Sequence, residues 1–208
     1  MSAQNLLAFA AVALAMVLTP GPNMAYLISR SITQGRAAGM ISLAGVLAGF
    51  LVYMLLAALG ITALLLAIPL AYDTLRLAGA AYLAWLAWNA LRPGGSSPFQ
   101  PRNLPVDSAP RLFAMGLLTN LLNPKIAMLY LSLLPQFIDP RGNILGQSVG
   151  LGLTQVLISA SVNAGIVFAA GTVAAFLARR PFWARVQRWL MGTVLGFLAV
   201  RMAFDTRR

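Results

Sequence analysis

The chain has 208 residues, 60% of them hydrophobic and only 9% charged, with 15 Lys and Arg against four acidic residues and a formal net charge of +11. An average soluble domain is about 25% charged, so this composition describes one membrane unit rather than several soluble domains. The basic residues fall in short gaps between apolar runs, as orientation signals do, which sets aside nucleic acid as a partner.

Residue types that are missing narrow the chemistry further. The chain has no Cys, His or Glu, so it carries no disulfide framework, no zinc or other metal site, and no Ser-His or Cys-His pair. Its four aspartates, Asp73, Asp107, Asp139 and Asp205, sit at span ends or in loops, away from where a membrane aspartyl protease needs two carboxylates. No Walker-type phosphate loop is present. The reading is a protein that is not an enzyme, takes no cofactor and does not use ATP directly.

In chain order, six apolar segments stand out, at 6–32, 39–70, 74–91, 112–138, 145–177 and 186–204. A bilayer crossing needs about 20 residues, so each predicts one span. The first lacks a preceding Lys or Arg and runs past any cleavage site, as a retained span does. The second and fifth are long for one crossing and short of two, which predicts tilted or protruding helices.

Inside the first segment stands Thr19-Pro20-Gly21-Pro22-Asn23. Proline has no amide proton and pushes its preceding residue out of the helical region, while Gly21 lets the backbone turn. The break frees carbonyls that an ammonium can use, and a new helix starting at Pro22 or Asn23 turns its positive end toward a carboxylate. Inside the fourth segment stands Asn120-Leu121-Leu122-Asn123-Pro124-Lys125, with the lone lysine of the chain. An ionised lysine at mid-membrane costs about 2.5–3.5 kcal/mol, so Lys125 needs carbonyls, water, a tertiary partner or an anionic ligand. Tyr130, Gln155 and Asn163 are polar groups placed to line a path, though such residues also join helices. Gly45-x-x-x-Gly49 and Gly192-x-x-x-Gly196 permit close packing within the chain or a homo-oligomer.

Between the third and fourth segments, Arg92-Pro93-Gly94-Gly95-Ser96-Ser97-Pro98 and the prolines 101, 105 and 110 form a connecting loop. Residues 1–91 and 112–208 thus read as two three-helix repeats joined by 92–111. Aligning Pro22 with Pro124 sets Asn23 against Lys125, and Arg76-Leu77-Ala78-Gly79 resembles Arg188-Trp189-Leu190-Met191-Gly192. Three spans per half places the halves in opposite orientation. The fold class is all-α, with six membrane helices in two inverted repeats and helices one and four broken, a transporter architecture whose substrate site lies at the breaks. The site residues are Thr19, Pro20, Gly21, Pro22, Asn23, Asn120, Asn123, Pro124 and Lys125.

Arginines 30, 36, 92, 102, 111, 179, 180, 185 and 188 follow the odd-numbered spans, and the positive-inside rule puts that side in the cytoplasm with both termini outside. The basic tail at Arg207 and Arg208 runs against this orientation. Trp85, Trp88, Trp183 and Trp189 lie near span ends, as interfacial anchors do.

Thr19-Pro20-Gly21-Pro22-Asn23, the glycine-rich second segment, Gly79-Ala80-Ala81-Tyr82-Leu83, Asn123-Pro124-Lys125 and Pro135-Gln136-Phe137-Ile138-Asp139 resemble the LysE/RhtB family of amino-acid exporters over nearly the whole chain. The resemblance implies a multi-pass protein of the bacterial inner membrane that exports amino acids or related solutes on a proton or ion gradient. Some members carry an acid after the glycine matching Gly49, where Phe50 stands here. Without a mid-membrane acid, a dibasic substrate has no counter-charge. This favours a neutral amino acid such as threonine, homoserine or a branched aliphatic one, with basic amino acids or another solute as the alternative; a channel or a non-transporting scaffold is the rival class.

Overall fold

The computed structural model describes residues 3–19, 21–60 and 106–204, with residues 77, 80, 81, 84, 85, 87–89, 91 and 92 between them. Pro20, residues 61–70 of the expected second span, half of the expected third span and most of the connecting loop lie outside the described residues. Among the described residues every regular element is helical, and there is no strand.

Helix α1 (Ala3–Leu18) buries Phe9, Ala13 and Val17, spaced four apart and so on one face. It stops at Thr19, whose hydroxyl turns back onto the Ala15 carbonyl at 2.7 Å. Gly21 is extended, and Pro22 begins α2 (Pro22–Ala58), 37 residues long. Proline is at home there, because the first helical N–H has no intrahelical acceptor.

The boundary expected between the apolar segments 6–32 and 39–70 falls at Gly35, whose φ of 88° and ψ of 171° are non-helical and divide α2 into two helices across a kink. Glycine alone adopts that conformation readily, so the polar stretch is bridged by a kink rather than a loop. The helix after the kink ends at Ala58, beyond which Gly60 takes a positive φ of 73° and donates to the Ala57 carbonyl, and residues 61–70 of the expected segment lie outside the described residues.

Helix α3 (Ala109–Leu121) turns Leu112, Gly116 and Asn120 toward α2. Here the backbones nearly touch: a Cβ on Gly45 would strike the Phe113 carbonyl, and one on Gly116 the Ser42 carbonyl. The Gly45/Gly49 pair therefore packs within the chain. After a break, α4 (Pro124–Met128) widens into a π turn at Leu129–Leu133 and tightens into a 3-10 turn at Leu134–Phe137. Pro135 cannot donate to residue 131, which accounts for the change of winding. The pieces on either side of the break are bent by 49°.

Helix α5 (Ile144–Ala178) is a single over-long helix, as its segment predicted, and α6 (Pro181–Phe204) begins five residues before its segment. Leu27, Val46, Phe50, Leu129, Tyr130, Leu151 and Val167 form the core between α2, the broken element and α5. Among the described residues, Pro22–Ala58 and Ile144–Phe176 suffice by length and composition to cross a bilayer, and the bent pair Ala109–Leu121 with Pro124–Phe137 passes the same test when its two pieces are counted as one span. Trp85, Trp88, Trp183 and Trp189 are all exposed.

Candidate functional site

Each break leaves a carbonyl without its helical donor, and the other half of the chain supplies one. Pro20 has no N–H, so the Met16 carbonyl four residues earlier is orphaned by chemistry alone. The Lys125 ammonium donates to it at 2.8 Å and to the Thr19 carbonyl at 2.6 Å. At the second break, the Lys125 amide that would serve Leu121 instead bonds to the Asn123 side chain at 3.1 Å. The hydroxyl of Tyr53 on α2 then donates to the Leu121 carbonyl at 2.8 Å. Tyr53 is held for this by stacking on Tyr130, with ring centroids 5.4 Å apart and planes 20° from parallel.

Lys125 is only 5% exposed, and its tip rests against Gly21. A Cβ on Gly21 would lie 3.0 Å from Nζ and 3.2 Å from Cε, so the close approach needs glycine. The first helical bond of α2 runs from the Ala25 amide to the Gly21 carbonyl at 2.9 Å. The amides of Asn23 and Met24 therefore precede any acceptor within α2, and no side chain caps them among the described residues. The ammonium, with two of its three donors engaged among the described residues, thus rests against the residue that precedes α2.

The predicted residues fall into two groups. Thr19, Gly21, Pro22, Asn123, Pro124 and Lys125 meet directly or through the chain at the paired breaks; Pro20 lies outside the described residues. Asn23, Asn120 and Asn123 are buried, with Asn23 Oδ1, both Asn120 side-chain atoms and Asn123 Nδ2 lacking a hydrogen-bond partner among the described residues. Asn120 packs on Gly49, where a Cβ would come within 2.7 Å of it. Of the path residues, Tyr130 and Gln155 are fully buried, and the Tyr130 hydroxyl and Gln155 amide are unpartnered among the described residues. Asn163 differs: its amide donates to the Ser159 carbonyl and hydroxyl, so it is satisfied on its own helix.

A second polar cluster was not anticipated. The Asp107 carboxylate accepts from Arg30 Nη1 at 2.5 Å and Gln34 Nε2 at 2.8 Å and is ion-paired with Arg111 Nε at 3.2 Å, and its amide donates to Gln34 Oε1 at 2.9 Å. The Gln34 amide, first, and the two guanidinium groups hold the Asp107 carboxyl below its ordinary value. Next to it, Tyr26 donates to the Leu112 carbonyl at 2.9 Å and lies 3.1 Å from the Ser42 hydroxyl. These contacts tie the start of α3 to both sides of the Gly35 kink. One signal for them was on the page: Asp107 is one of only four acids in the chain.

Among known proteins, the LysE type translocator family profile matches residues 14–206. An uncharacterized membrane protein of Pseudomonas aeruginosa is 32% identical over 200 residues, covering 92% of this chain and 88% of its own. A leucine efflux protein of an Enterobacter species is 30% identical over 199 residues, 90% of each chain. A homoserine/homoserine lactone efflux protein of Salmonella typhimurium is 32% identical over 160 residues, 77% of each chain. No solved structure matches the chain.

Proposed function

Because this chain belongs to the LysE-type translocator family, we propose that it is a secondary-active exporter of neutral amino acids across the bacterial inner membrane. Family and relatives are named as translocators and efflux proteins rather than enzymes. The observation that carries the proposal is the Lys125 ammonium, bonded to the carbonyls of one break while anchored in the other, beside the open start of α2.

In this reading a substrate carboxylate is held by the Lys125 ammonium and the first-turn amides of Asn23 and Met24, where the helix end adds positive potential. Its ammonium group would exchange places with Lys125 on the freed carbonyls or meet the unpartnered Asn120 and Asn123 side chains. Since Lys125 joins the two breaks, movement of one half against the other must break or carry these bonds, which is what alternating access requires. In this reading residues 1–91 and 112–208 are two inverted three-helix halves linked by 92–111, six spans in all, with both termini outside and a proton or ion gradient as the driving force.

The names of the relatives favour leucine and homoserine as first solutes to test. Phe50 is 1% exposed in the core, and among the described residues no acid is buried to serve a cationic substrate. Purified protein in liposomes should exchange leucine, homoserine or threonine with saturation and with dependence on internal substrate. Exchange of lysine or arginine instead would move the substrate class, and non-saturating flux or none would overturn the carrier reading.

A further inference from the structure

The first piece of α2, residues 22–34, is bounded by two glycines, Gly21 in extended backbone before it and Gly35 at φ 88° after it. A helix framed by two such joints can turn as a rod, because hinge motion falls on the few residues at its ends. The second piece of α2 is fixed to α3, since Gly45 and Gly116 bring the two backbones together. The rod is tied to the start of α3 by polar bonds, remote from the break at Leu122. Arg30 and Gln34, one turn apart, both donate to Asp107, the Asp107 amide returns a bond to Gln34, and Tyr26 donates to the Leu112 carbonyl.

Between the rod and α3 lies a cavity of about 450 Å³, within the range of small-molecule pockets. Its walls are two facing stripes, Tyr26 and Arg30 on the rod and Met115, Leu118, Thr119 and Leu122 on α3. Seven residues of helix from Met115 to Leu122 make the wall roughly 10 Å long. Leu122 caps α3 at its break, and the next residue, Asn123, caps the helix that carries Lys125. Four residues back along the rod from Tyr26 stands Pro22, where α2 begins. The cavity therefore has the paired breaks at its inner end and the Arg30–Asp107 ion pair at its outer end.

We propose that this cavity is the passage between the paired breaks and one face of the membrane, and that residues 22–34 are its gate, latched by Asp107. The occupant is the exported amino acid, an assignment that rests on the exporter reading above; the passage and the latch stand on geometry. Releasing Asp107 from Arg30 and Gln34 frees the end of the rod next to Gly35. A swing about the two glycines then widens the outer end of the cavity. On the orientation inferred from the arginines that end faces the cytoplasm, where a solute enters for export.

The chain has no cysteine, so single thiols can be introduced without background. Thr119→Cys, half-buried on the cavity wall, is exposed in vesicles to a charged, membrane-impermeant methanethiosulfonate, which modifies a thiolate where water reaches it. Ser108→Cys, exposed just ahead of α3, reports which face of the membrane is addressed. Thr119→Cys should react from the same face as Ser108→Cys. Adding Asp107→Asn should speed its reaction about tenfold, the factor carried by one lost charge-assisted bond. Gln34→Ala, which keeps both charges of the ion pair, should speed it by less, and Ala13→Cys, fully buried in the core, should stay unreactive in both backgrounds. No reaction of Thr119→Cys with the charged reagent, or reaction from the opposite face alone, overturns the passage; reaction with a membrane-soluble maleimide instead makes the cavity a lipid-facing groove. An unchanged rate in both Asp107→Asn and Gln34→Ala, or equal acceleration at Ala13→Cys, overturns the latch. Counterflow of leucine judges the exporter reading separately, because thiol labelling does not depend on turnover.

Discussion

The Lys125 ammonium lies 2.6 Å from the Thr19 carbonyl, a bond that spans 106 residues of chain and joins one helix break to the other. Together with the bond to the Met16 carbonyl, it makes this lysine both the fastener of the two breaks and the cation nearest the start of α2. These roles predict different things of the same substitution.

Each charge-assisted bond from Lys125 stabilises by about 1.5–3 kcal/mol, and removing a buried ammonium relieves about 2.5–3.5 kcal/mol. Lys125→Met should therefore lower stability by a net of only roughly 0–3 kcal/mol while abolishing exchange. Melting in detergent and counterflow on one preparation check both halves of this. Normal exchange by the folded variant would remove Lys125 from the substrate path.

Two glycines separate crowding from backbone strain. Gly21→Ala places a methyl 3.0 Å from the Lys125 ammonium and should raise the KM for exchange severalfold with little loss of stability. Gly35→Ala meets nothing within 4 Å but forces a side chain into φ 88°, a region that costs about 1–3 kcal/mol. It should lower the melting temperature. If Gly21→Ala exchanges like wild type, the close approach to Lys125 has no functional weight.

The helix crossing should tolerate nothing larger than glycine. A side chain at Gly45 or Gly116 meets the opposing backbone, which cannot swing aside as a side chain does. Overpacking typically costs about 1–3 kcal/mol, and Gly45→Val or Gly116→Val should reach or exceed the top of that range. Gly171→Ala, with open space around it, should be silent. Yield of folded protein and melting temperature give the comparison.

Asp107 predicts an acid limb in the stability profile. A carboxyl held below its ordinary value in the folded chain contributes stability at pH above the unfolded value of about 4 and loses it as pH falls through the folded one. Asp107→Asn should therefore melt below wild type at pH 7, and the gap should close as the pH falls below 4. A gap that stays constant from pH 7 to pH 3 would show that the carboxylate charge does not hold α3 to α2.

Much of this was legible in the residues themselves. Proline chemistry placed both interruptions, because a missing N–H orphans a particular carbonyl whatever surrounds it. Apolar content alone assigned the membrane class, and a lone lysine in an apolar run had to find a partner. That the freed carbonyls could accept from an ammonium also followed from local chemistry, though not that the ammonium is that of Lys125. What local chemistry could not supply was the identity of distant partners. Only the packing of α2 on α3 decided that Tyr53 serves Leu121, that Gly49 makes room for Asn120, and that Arg30 and Gln34 share Asp107. The sharp kink at Gly35 and the end of α2 at Ala58, just before Gly60, were likewise hidden, since an apolar run records tolerance of lipid and not where a glycine takes a positive φ. Hydrophobicity is a property each residue carries alone, whereas a hydrogen bond across 106 residues exists only once the chain has closed on itself.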